Sequence, residues 1–300
     1  MVENPDFSNA PDDAYPGSLK QPALVLVSTP IGNLGDMTFR GVDILRGLDM
    51  LLCEDTRTTA ALLNRHGISV RTEALHEHNE DARIPDLLRR IAGGARVGLV
   101  SDAGTPLVSD PGYRLARAAL EAGLAVEAVP GANAAITALV LSGLPPHPYL
   151  FHGFLPPRAA ARQAVLARLR AAERAGLSAT LIFYEAPHRV SETLADLAAA
   201  FGNRPACVAR ELTKRFEQVR RAALPDLADH YVQEQIRGEV VLLVGPAAEE
   251  VATAADLDAL LTAALATHSV REAASLVAEA TGLPRKTVYA RALALKPSLT

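Results

Sequence analysis

The residues able to do chemistry in this chain cluster in short polar turns that follow apolar runs. Residues 97–100 have the composition of a buried parallel strand and break into Ser101-Asp102-Ala103-Gly104-Thr105-Pro106. Gly104 permits close backbone approach there, and Pro106 stiffens the exit. Ser109-Asp110-Pro111 follows with the signals of a helix start before residues 113–121. Similar turns carry Glu54-Asp55-Thr56-Arg57 after residues 49–53 and Glu185-Ala186-Pro187-His188-Arg189 after residues 179–184. A carboxylate at the end of a strand meets ligand in open α/β sheets, and a carboxylate or imidazole accepts a proton. Taken alone, Asp102 is equally a turn cap. Glu185 is equally the ion-pair partner of Arg189, and His188 a helix cap.

Several chemistries are excluded. There is no Gly-x-Gly-x-x-Gly, no Gly-x-x-x-x-Gly-Lys-Ser/Thr and no Gly-x-Ser-x-Gly. His76-Glu77-His78 lacks a third ligand, so no metal is expected. What remains is a Gly- and Pro-lined pocket bearing a few acids. It suits a zwitterionic cofactor with amide-like and hydroxyl groups better than a triphosphate.

The elements that position these turns alternate strand and helix. Strands are expected over 23–28, 49–53, 71–75, 97–100 and 125–129, each followed by a helix, which predicts a mostly parallel sheet. The stiff connector Gly143-Leu144-Pro145-Pro146-His147-Pro148 marks a domain boundary. Beyond it, strands over 149–154, 179–184, 205–211, 216–221 and 239–244 alternate less regularly with helices, a mixed α+β pattern. The expected organisation is a disordered tail over 1–22, α/β domains over 23–144 and 149–247, and a helical appendage over 253–300. In that appendage, helices over 269–280 and from after Pro284 to about 295 flank Thr281-Gly282-Leu283-Pro284. They read as a helix-turn-helix or as a packing or dimerisation element.

The formal net charge is −4. Residues 158–221 nevertheless hold 12 Lys and Arg against 6 Asp and Glu, a local +6. Arg158, Arg162, Arg189, Arg210, Lys214 and Arg215 are available there for phosphate contacts. Two cysteines make no disulfide framework, which favours a cytoplasmic setting. No apolar run reaches the roughly 18 residues of a membrane span, and the polar N-terminus has no signal-peptide character.

Several motifs together resemble the tetrapyrrole methylase superfamily in its ribosomal RNA branch. They are Ser28-Thr29-Pro30-Ile31-Gly32-Asn33-Leu34, Cys53-Glu54-Asp55-Thr56-Arg57, residues 100–106 and Asp110-Pro111-Gly112-Tyr113. Pro130-Gly131, Gly153-Phe154-Leu155-Pro156, residues 183–189 and Ala209-Arg210-Glu211-Leu212-Thr213-Lys214 complete the set in order. Ala132-Asn133 departs from the expected Pro or Ser and small residue. The resemblance implies two α/β domains with S-adenosylmethionine in the cleft between them, a homodimer, and 2′-O-methylation of a cytidine in 16S rRNA of the small ribosomal subunit. It places Pro30, Gly32, Asp102, Ala103, Gly104, Thr105, Pro106 and Gly131 around the cofactor, with Glu185, His188 and Arg189 facing the same cleft. Glu185 or His188 is then the candidate proton acceptor. Two rivals stand beside it: carbon methylation of a tetrapyrrole, and a non-catalytic ribosome- or nucleic-acid-binding protein.

Overall fold

The computed structural model describes residues 22–247 apart from 235, and residues 254–295 apart from 282. The tail expected over 1–22 falls, up to residue 21, outside the described residues. The chain divides after Pro246 into two units.

In the first unit, strands β1 (Ala23–Val27), β2 (Met50–Cys53), β3 (Thr72–Ala74), β4 (Arg96–Leu99) and β5 (Val126–Val129) form one sheet. Its order is β3-β2-β4-β1-β5, and every pairing is parallel. The crossover helices are α1 (Phe39–Arg46), α2 (Thr56–Arg65), α3 (Glu80–Ala92) and α4 (Tyr113–Glu121). Their apolar faces bury the sheet from both sides, as continuous apolar strands require. Thr38 caps α1 by accepting from Gly41 N at 3.0 Å, and Asp55 caps α2 by accepting from Arg57 N at 2.8 Å.

Helix α4 spans the residues expected of it, but its cap differs from expectation. Its N-cap is Gly112, at φ +110°, with no side-chain cap. A Cβ at Gly112 would fall on the Leu99 side chain, so only glycine fits. Asp110 is thereby released from capping and lies two residues outside the helix.

A second sheet contains β6 (Tyr149–Phe154), β7 (Thr180–Glu185), β8 (Pro205–Arg210), β9 (Gln218–Ala223) and β10 (Val240–Val244). Its order is β6-β7-β10-β8-β9, with β6 and β7 parallel and the other pairs antiparallel. Helices α6 (Ala159–Arg174), α7 (Val190–Phe201) and α8 (Leu224–Gln233) cover one face. The other face packs on α5 (Ala134–Ser142), which follows β5. Ala135, Ala138 and Leu139 of that helix share a buried cluster with Ile182, Cys207, Ala209, Val241 and Leu243. Helix α5 is therefore the joint between the sheets. Asn133 caps it, accepting from Ile136 N at 3.1 Å, and Arg221 donates to the carbonyl of Leu141 near its far end.

The second unit holds α9 (Ala254–Leu265), α10 (Val270–Thr281) and α11 (Arg285–Leu295). Helix α9 precedes the two helices expected in this appendage. Leu257, Leu261, Ala274, Val277, Val288 and Ala292 make its small core. No helix among the described residues is long and apolar enough to cross a membrane.

Candidate active site

The chain leaves β1 across β4 to reach β2, and leaves β4 across β1 to reach β5. Connections therefore depart in opposite directions at the carboxyl ends of two neighbouring strands, the position where open α/β sheets bind ligands. Thr29 and Gly104 join these two exits. Thr29 N donates to Gly104 O at 2.8 Å and Gly104 N donates to Thr29 O at 3.1 Å. Gly104 sits at φ +85°, and a Cβ there would lie 3.3 Å from Ile31 Cγ2. Thr105 Oγ1 donates to Ala132 O at 3.2 Å, tying in the loop after β5.

A cavity of about 490 Å³ opens beside this bridge. Ile31, residues 102–105 and residues 108–110 form one wall. Phe154, residues 184–187 and residues 238–241, at the ends of β6 and β7 and the start of β10, form the other. Its apolar lining and few polar groups suit a small-molecule site.

The acids of the cavity are not equivalent. Glu185 is 2% exposed and fully engaged. Its Oε2 accepts from Thr193 Oγ1 at 2.6 Å, its Oε1 accepts from Ala186 N at 2.8 Å, and Arg189 Nε lies 3.2 Å away. Arg189 in turn donates to Leu155 O at 2.8 Å. Glu239 pairs with Lys214 Nζ at 3.1 Å. Asp102 Oδ1 accepts from Asp55 N at 3.1 Å. Neither Asp102 nor Asp110 has a cationic partner among the described residues. Burial pushes the Asp110 carboxyl up to about 7, aided by the negative charges of Glu54 and Asp102. Burial, with the charge of Asp102, also raises Glu54. A cavity with this excess of negative charge can hold a cation, and Asp110 can accept a proton near neutrality.

Of the expected cofactor residues, Asp102, Ala103, Gly104 and Thr105 line the cavity. Pro30, Gly32, Pro106 and Gly131 are outside the lining. A Cβ at Gly32 would lie 2.5 Å from Lys214 Cγ, and one at Gly131 would lie 2.8 Å from Ser28 Cβ. Both glycines serve close packing between loops. Glu185 reaches the cavity, but His188 is exposed in a 3₁₀ turn (Pro187–Arg189) and only its neighbour Pro187 lines the wall.

The basic group needs correction. Arg162, expected at an RNA surface, is 2% exposed and binds Asp196 at 2.5 Å, so it is structural. Arg189 is held by Glu185, Arg210 donates to Gln218 Oε1 at 2.6 Å, and Lys214 is shared by Glu211 and Glu239. Arg158 and Arg215 are exposed, Arg215 lying over the Phe216 ring at 5.5 Å. Sequence reasoning assigned Asp110 to capping and passed over Tyr184 and Glu239. The signal for Asp110 was Gly112, whose freedom to adopt positive φ places the helix start after it. Among the described residues no group of three His, Cys, Asp or Glu is placed to hold a metal.

Comparison with known proteins bears on this geometry. Residues 23–228 match the family described as Tetrapyrrole (Corrin/Porphyrin) Methylases. Residues 251–296 match the one described as RsmI C-terminal HTH domain. The chain is 46% identical over 278 residues to a protein of Mesorhizobium japonicum named ribosomal RNA small subunit methyltransferase I, covering 92% of this chain and 93% of that one. It is 42% identical over 277 residues to the protein of the same name in Escherichia coli O157:H7, covering 91% and 95%. The crystal structure of the methyltransferase CobJ shares the fold, with a TM-score of 0.56 at 22% identity over 75% of this chain and 94% of that one.

Proposed function

We infer function from one premise: the chain belongs to the tetrapyrrole methylase family, in its group of ribosomal RNA small subunit methyltransferase I proteins. It methylates small-subunit ribosomal RNA and uses S-adenosylmethionine. The acceptor we assign is the ribose 2′-hydroxyl of a cytidine in 16S rRNA, presented by the assembled subunit. The net charge of −4 favours a particle that supplies shape as well as phosphate. The porphyrinoid alternative draws on neighbours whose identity is low enough to speak for the fold alone.

The cavity fits the cofactor. S-adenosylmethionine supplies, when bound, a methyl group on a positively charged sulfur that leaves as a neutral thioether. Asp102 and Asp110, lacking cationic partners, offset that charge. The Thr29–Gly104 bridge brings backbone rather than side chains to the wall, which leaves room for a flat ligand. Ile31, Val108, Tyr184, Val240 and Val241 line the cavity and limit water. Phe154, 53% exposed and edge-on to Tyr184 at 5.6 Å, offers a face for a nucleobase.

The observation that carries the 2′-oxygen assignment is Asp110. An alcohol must lose its proton as it becomes an ether, and a carboxylate with a pKa near 7 is a better acceptor than an ordinary one. Glu185 then acts as a positioning residue, bracing β7 against Arg189 and Thr193. His188, outside the cavity lining, is left without a proton-transfer role. We place the enzyme in the cytoplasm, consistent with two buried free cysteines, and as a homodimer, consistent with the exposure of Phe39 and Val140.

Transfer of tritiated methyl groups to small subunits lacking the modification, with ribose mapping of the product, tests this reading. Label at a cytidine 2′-oxygen is expected. Label on a base, or on a porphyrinogen in place of RNA, overturns it.

A further inference from the structure

The second unit carries a basic surface of its own. Arg271 on α10 and Arg285, Lys286 and Tyr289 on α11 line about 500 Å³ of open space. No acidic residue joins them. The nearby acids are committed elsewhere. Glu272 accepts from Ser269 Oγ at 2.7 Å and from Ser269 N at 3.0 Å, capping α10. Asp258 accepts from Arg291 Nε at 2.6 Å. Among the described residues none of Arg271, Arg285 and Lys286 has an ion pair. Arg285 and Lys286 also occupy the first turn of α11, where the helix dipole adds positive potential. Tyr289 is 40% exposed on the same wall.

Three cations gathered on one open surface, with an aromatic ring beside them, match a phosphate chain whose unstacked base is within reach. Cations gathered for solubility alone would need neither a shared helix N-terminus nor the ring. We propose that this surface docks a single-stranded or looped RNA segment, with phosphates on Arg271, Arg285 and Lys286 and a nucleobase against Tyr289. The choice of RNA rests on the function proposed above. Arg291 is excluded from the site by its pairing with Asp258. Val288 and Ala292, on the same helix, are fully buried in the small core, so the basic face can be altered without touching that core.

The test uses the full chain and a fluorescein-labelled oligouridylate, with anisotropy read across a range of salt concentrations. Each phosphate contact on a single strand contributes a slope of about 0.7 in log affinity against log salt. The triple variant Arg271→Ala, Arg285→Ala, Lys286→Ala should therefore flatten the slope by about 2. Tyr289→Ala should weaken binding about tenfold at an unchanged slope, and Tyr289→Phe should restore it. Circular dichroism and the heat of S-adenosylmethionine binding report that the variants are folded.

An unchanged slope in the folded triple variant overturns the site. So does a Tyr289→Phe variant as weak as Tyr289→Ala. If a labelled DNA duplex binds as tightly and loses the same slope, the surface is a duplex reader and the RNA assignment falls. Methyl transfer to small subunits by the unaltered chain is measured separately. Its failure with the slope change intact removes the proposed acceptor and leaves the site. Its success with no slope change removes the site alone.

Discussion

At the scale of single residues, the two cavity acids Asp110 and Glu185 have opposite assignments. Asp110→Asn should bind S-adenosylmethionine but lose single-turnover methylation by about a hundredfold or more, the effect of removing a general base. In the unaltered chain the rate should fall as pH drops through about 7, because a protonated Asp110 accepts nothing. A bound cation favours the carboxylate, so saturating cofactor should shift that midpoint downward. Stability runs the other way. A carboxyl whose pKa is raised on folding destabilises the fold once pH exceeds its unfolded value, with the full effect above about 7. Asp110→Asn should therefore melt higher than the parent in alkaline buffer, and the gain should vanish at low pH. Glu185→Gln should instead lower stability by roughly 1.5–3 kcal/mol in urea titration, the scale of a lost charge-assisted hydrogen bond. His188→Ala should leave both stability and rate near those of the parent.

Among the elements, the loop exits of β1, β4 and β5 decide whether the cavity exists. Gly104→Val forces a branched residue to φ +85° beside Ile31, and calorimetry should show S-adenosylmethionine affinity down at least tenfold. Gly131→Val collides with Ser28 instead and should appear chiefly as lost stability, partly recovered by adding Ser28→Gly. Most elements were legible because apolar runs and Pro/Gly punctuation are local. The strands beginning at Ala23, Tyr149 and Thr180 and the helix from Tyr113 fall within a residue or so of expectation. The cap of α4 was misread because Ser109-Asp110-Pro111 carries good capping chemistry that Gly112 overrides. Arg162 was misread because its partner Asp196 is on another helix, and composition does not distinguish a buried guanidinium from an exposed one. Glu239 and Tyr184 enter the cavity through antiparallel pairing of β10 with β7, a long-range contact that no single stretch of sequence displays.

For the whole molecule, local charge is a weaker guide than its distribution. Pairing within residues 158–221, of Arg162 with Asp196 and of Arg204 with Glu173 at 2.6 Å, leaves the +6 unchanged but buries two of its cations, and Lys214 is matched by Glu239 from outside the segment. Replacing Arg158 and Arg215 by Ala should flatten the salt dependence of subunit binding, read by sedimentation with small subunits. Arg162→Ala should leave that slope alone and lower the melting temperature, since it removes a buried guanidinium that holds the half-buried Asp196 and so unties α6 from α7. The two walls of the cavity belong to different sheets, joined through α5. One wall is fixed by backbone bridges such as Thr29–Gly104, which tolerate little change. The other is made of side chains at strand ends, where the exposed Phe154 can be exchanged without breaking a bridge, whereas the Tyr184 hydroxyl accepts from Ala135 N of α5 at 3.3 Å. Inheritance can thus treat the halves unequally. A lineage that keeps the bridged wall can drift in the other and acquire a new acceptor, without having to reinvent the first half of the pocket.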